Sequence, residues 1–120
     1  MQAAPGERKA EMTKDEILAM EAGDALDALI AVNVMREITG PIMLIVGGKA
    51  VNRNWDSIIL QHYSTDIAAA WPVLEKFTDV DIEKAGENYR VTINAFAQAD
   101  AHTLPLAGCR AALLAVLEPA

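Results

Sequence analysis

Between residues 79 and 95 polar and apolar side chains alternate with a period of two, interrupted near Gly86. Val80 and Ile82 alternate with Asp79, Asp81 and Glu83; beyond the glycine, Tyr89, Val91, Ile93 and Ala95 alternate with Arg90, Thr92 and Asn94. Successive side chains of a strand point to opposite faces, so this pattern predicts an antiparallel hairpin with one apolar face that a second layer must cover. Helical stretches offer that layer. Residues 25–38 place Leu26, Leu29, Ile30, Asn33, Val34 and Ile38 at helical spacing behind Asp24 as a candidate cap, and Thr39-Gly40-Pro41 ends the run. Ser64 is the expected cap of a second helix, with Asp66 in its first turn and Ile67, Ala70, Trp71, Leu74 and Phe77 on its buried face. Pro72 removes a backbone hydrogen bond there, which predicts a kink or a shortened helix. Thr103 caps a third, with Pro105 tolerated in the first turn and Leu106, Cys109, Leu113, Val116 and Leu117 as its stripe. Residues 97–102 are expected to be a loop.

Two further signals complete the order of elements. Thr13 and Glu16 fit a capping box ahead of one short apolar turn, Ile17, Leu18 and Met20. Ile42–Val46 is uniformly apolar and short, and a glycine pair follows, which reads as a buried strand and then a turn at Gly47-Gly48-Lys49. A second strand is expected over residues 55–63. The resulting order, α-β-β-α-β-β-α, is an α+β plan: a layered α/β sandwich with a small antiparallel sheet of about four strands and three main helices. At 120 residues the chain suits one domain. Residues 1–11 read as a flexible N-terminal extension and residues 12–120 as the folded domain.

Charge and cysteine content narrow the function classes. The net charge is −7, so a surface that neutralises a phosphate backbone is not expected, and nucleic acid is an unfavoured partner. Cys109 is the single cysteine, which excludes a disulfide within the chain and favours a reducing compartment. The five-residue run Ile42–Val46 is far shorter than the roughly 20 residues that cross a bilayer. His62 and His102 lie forty residues apart, so no zinc spacing appears and no metal or cofactor is expected.

The residues that bear chemistry are few. Gly47-Gly48-Lys49 resembles a phosphate loop only in part, since Met43 and Ala50 stand where a Walker sequence needs glycine and a hydroxyl residue; a hairpin turn is the simpler reading. Residues 40–78 nevertheless balance three acids against three bases while both flanks are acidic. An anionic ligand would therefore be sought at Lys49 and Arg53, with Arg90 as a further cation and Trp55 or Tyr63 as stacking faces. Ser64 joins them as a polar group at a helix start. Its neighbours His62 and Asp66 are too close along the chain to form a catalytic triad with it. Asp79, Asp81 and Glu83 read as a solvated strand face, and Cys109 and Trp71 as core. With no acid, base and nucleophile in one place, an enzyme is not expected.

Three stretches together resemble the phage ABA sandwich domain family. They are Met12-Thr13-Lys14-Asp15-Glu16-Ile17-Leu18-Ala19-Met20 with Gly23 and Leu26-Asp27-Ala28-Leu29; Tyr63-Ser64-Thr65-Asp66-Ile67-Ala68-Ala69-Ala70-Trp71; and Cys109-Arg110-Ala111-Ala112-Leu113-Leu114. The chain departs from the family's pattern at Ala22, His62 and Pro72, and carries a longer, glycine-bearing segment over residues 42–55. The resemblance implies a small, layered protein of a bacteriophage or prophage and carries over no established enzymatic activity. It leads to the expectation of a host-directed accessory protein in the host bacterial cytoplasm, counter-defensive in role. Such a protein would sequester a cyclic or signalling nucleotide or block a host protein. Its anion pocket would be shared within a homo-oligomer, because so small a chain has few deep clefts. The alternative is an interaction module or structural phage protein with no small ligand.

Overall fold

The computed structural model describes residues 12–117; the expected extension, residues 1–11, lies outside them. Thr13 caps α1 (Lys14–Ala19) through the capping box: the Glu16 N–H donates to Thr13 Oγ1 at 3.1 Å and the Thr13 N–H to Glu16 Oε1 at 2.9 Å. Helix α2 (Asp24–Asn33) follows, beginning after Gly23 and stopping five residues short of the expected end. Arg36 turns the chain into the left-handed region (φ 55°), and the Glu37 N–H closes back on the Ala31 carbonyl at 2.8 Å. Ile38 is therefore buried beyond the helix rather than on it.

The expected first hairpin is a three-stranded antiparallel sheet, β1 (Ile42–Val46), β2 (Lys49–Asn52) and β3 (Ser57–Ile59), in that order. Gly47 and Gly48, both at positive φ, make the two-residue turn their sequence calls for. The strand expected over 55–63 shrinks to three residues because a second turn occupies residues 53–56. Asn52 builds that turn: its Oδ1 accepts from the N–H groups of Asn54 (2.9 Å) and Asp56 (3.0 Å), and its Nδ2 donates to the Thr39 carbonyl at 2.8 Å.

Helix α3 (Ile67–Leu74) contains Pro72 and ends after eight residues, the shortened form that the proline predicts. Its cap is Asp66, whose carboxylate accepts from the Ala68 N–H at 3.0 Å, and not Ser64. Trp71, expected in the core, is 47% exposed, since Ala70, Val73 and Leu74 take the buried face instead.

The late hairpin, β4 (Val80–Ala85) and β5 (Asn88–Ile93), pairs as its alternation predicts, and β6 (Ala97–Ala101) adds a third antiparallel strand where a loop was expected. Ala97, Ala99 and Ala101 all turn inward, so β6 has the same period of two, written in alanine. The fold is thus α+β, as expected, but its strands number six in two sheets of three.

Helix α4 (Leu104–Leu117) is the spine of the molecule. Thr103 caps it, and it packs on β5 and β6 on one side and against α1, α2 and α3 on others. Ten of its residues are buried, so burial runs around the helix rather than along one stripe. Small side chains permit that approach from every side. At Gly108 a β-carbon would come within 3.3 Å of Leu74 Cδ2, which marks where α3 lies closest.

Candidate functional site

The six residues expected to form an anion pocket are distributed over both sheets and the core. Tyr63 is 2% exposed and its hydroxyl donates to Glu37 Oε1 at 2.7 Å; burial, then that carboxylate, raises its pKa and keeps it protonated. Ser64 is fully buried against α2: its N–H and its hydroxyl donate to Asp27 Oδ1 at 2.8 and 2.7 Å, and its Oγ accepts from the Gly23 N–H at 2.9 Å. Neither side chain is available to a ligand at the surface. Arg90, on β5, makes a two-pronged contact with Asp100 on β6, Nε to Oδ1 at 2.9 Å and Nη2 to Oδ2 at 3.1 Å. That contact raises the arginine's pKa and lowers the carboxylate's.

Lys49, Arg53 and Trp55 are all exposed on the smaller sheet, Lys49 at one end of β2 and Arg53 and Trp55 in the turn beyond its other end. Among the described residues neither Lys49 nor Arg53 forms an ion pair. Trp55 is 73% exposed and sits at φ 66°, a left-handed conformation that a bulky side chain adopts only under strain.

A further arginine, Arg110, is spent inside the fold. Its Nε and Nη2 donate to the Met20 carbonyl at 2.9 and 2.6 Å, and its Nη1 to the Asp100 carbonyl at 3.0 Å. The fork ties the end of α1 to β6 through α4. Cys109, beside it in sequence, is fully buried, and burial pushes its thiol up to about 12. A thiol reagent is therefore expected to label the native protein only at the rate of its global unfolding. Rapid labelling in native buffer would show instead that α4 opens locally.

An apolar groove of about 790 Å³ lies between α2 and β1. Leu29 and Val32 form one wall, Met43 the other, and Met12 and Met20 close an end, so that three of the chain's five methionines line it. Among the described residues no charged side chain lines the groove. Its one amide side chain, Asn33, donates back to the Leu29 carbonyl of its own helix at 3.0 Å. Gly40 lets the following chain pass close beneath α2: a β-carbon there would meet Val32 Cγ1 at 2.8 Å. The signal for this groove was present in α2, which carries Leu26 and Ile30 toward the core and Leu29 and Val32 away from its center. A helix apolar on two faces has a second surface to meet.

Residues 28–113 match the phage ABA sandwich domain. A crystal structure of a phage protein from Bacillus cereus ATCC 14579 is similar in fold, with a TM-score of 0.58 and 26% sequence identity, over 79% of this chain and 91% of that one. No curated protein matches the chain.

Proposed function

Because the chain belongs to the phage ABA sandwich domain family, we propose that it is a non-enzymatic bacteriophage accessory protein that acts in the host cytoplasm by binding, in a counter-defence role. Of the forms such a role takes, blocking a host protein has the better support. The observation that carries it is the methionine-lined groove between α2 and β1. Methionine is flexible and polarizable, so it moulds itself to apolar side chains of a partner, and a groove without a fixed charge suits an apolar anchor from a helix or extended segment.

Sequestration of a nucleotide-type signal is the second reading. It would fall to Lys49, Arg53 and Trp55 alone, and is favoured only by the two unpaired cations.

Capture from host lysate, run beside a thermal-shift panel of cyclic nucleotides, separates the two. The expected outcome is one host protein retained in stoichiometric amount, with retention falling at least tenfold for Met43→Glu, because a carboxylate cannot be buried unpaired in the groove. Met43 is 47% exposed, so that variant keeps its fold. A rise in Tm with a nucleotide, and no protein retained, would overturn the reading in favour of the signal.

A further inference from the structure

The two three-stranded sheets differ in what they turn outward. In the β4–β6 sheet the register places Asp81, Thr92 and Gln98 in one outward row and Glu83, Arg90 and Asp100 in the next, a face built for water. In the β1–β3 sheet the outward rows are Val46, Lys49 and Ile59, then Leu44, Val51 and Ser57. Val46 is 58% exposed, Ile59 69% and Leu44 47%. The inward rows, Ile45, Ala50 and Ile58, then Ile42 and Asn52, face the rest of the fold and are partly or fully buried. Both faces of the smaller sheet are therefore apolar, and among the described residues only one is covered. Trp55 stands exposed at the end of the sheet, in a conformation that costs backbone strain to hold.

We propose that a second copy of this chain covers the outer face of β1–β3, sheet against sheet about a two-fold axis. Area and charge both favour a second copy. Leu44, Val46, Ile59 and Trp55 together expose on the order of 450 Å² of apolar surface. With a polar rim from the two turns, this approaches the roughly 800 Å² per partner of a stable interface. The chain carries −7 in all, yet residues 42–60 hold two cations and one acid. Two copies meeting elsewhere bring acidic surfaces together; here they do not.

Of the residues on this face Leu44 alone also lines the groove against α2, so this inference does not rest on the proposed function.

Sedimentation of the full chain at high micromolar concentration tests it. The wild type is expected to be a dimer and Ile59→Asp a monomer with unchanged circular dichroism, since Ile59 is 69% exposed in the monomer. A monomeric wild type, or an Ile59→Asp variant as dimeric as the wild type, overturns the proposal.

Discussion

Asp27→Ala is expected to destabilise the protein by about 3 kcal/mol, because it strips the acceptor from two donors at once in a site without water access. Asp27 is 1% exposed, and Ser64, which donates to it twice, is fully buried. The Ser64 hydroxyl in turn receives the Gly23 N–H, so the pair joins the start of α2 to the segment that leads into α3. Asp27→Asn keeps one acceptor oxygen and should cost less. Urea unfolding of the three proteins measures both effects, and a loss below 1 kcal/mol for the alanine variant would show that water or a rearranged chain replaces the carboxylate.

The same site has a pH signature with a definite sign. Burial raises the Asp27 pKa above its ordinary value, and the hydrogen bonds from Ser64 oppose the rise only in part. A carboxyl whose pKa is higher folded than unfolded holds its proton more tightly in the native state. Its contribution to stability is fully present below the unfolded value, about 3.9, and is lost as pH rises through the raised folded value. Relative to Asp27→Asn, which does not titrate, the wild type is expected to gain stability as pH falls through that window. A difference between the two that stays flat with pH would remove the burial argument.

Arg110→Ala is the second large effect, expected to cost about 2 kcal/mol by leaving the Met20 and Asp100 carbonyls without their donors. Burial lowers the pKa of this guanidinium, with Glu21 opposing, but arginine stays charged at any working pH. Arg110→Lys should recover less than half of the loss, since an ammonium cannot reproduce a planar fork reaching two carbonyls. The consequence extends to the groove. Met20 is one of its lining residues, and the contact at its carbonyl is what holds the end of α1 in place. Amide exchange in α1 is therefore expected to quicken more than exchange in α4, and partner binding to weaken with it. Uniform acceleration across the chain would show that the arginine stabilises the fold without positioning the groove.

Much of the framework was legible from short stretches of chain. The capping box at Thr13 and Glu16, the glycine turn after Ile42–Val46, the alternation over residues 79–95, the cap at Thr103 and the burial of Cys109 all rest on partners within a few residues or on the period of the element itself. The strands β2 and β6 escaped because their inward residues are small, Ala50 in one and Ala97, Ala99 and Ala101 in the other, and alanine gives no strand signal of its own. The groove was only half visible, since the second apolar face of α2 shows that something is met there but not what.

The amino-acid sequence alone determined the class of fold, most of its helices and strands, and the family to which the chain belongs. Tertiary structure decided the roles of individual polar residues. Ser64 and Asp66 are both fit to cap α3, and the choice between them was made by Asp27, 37 residues away in the chain, which took Ser64 into the core. Arg110 met Met20 across 90 residues, and Arg90 found Asp100 on the next strand, so two cations that composition made available to an anion were already engaged. Secondary structure follows from periods and caps that act over one or two turns, whereas a polar side chain takes the partner that burial and geometry bring to it, and that partner is named only when the chain has folded.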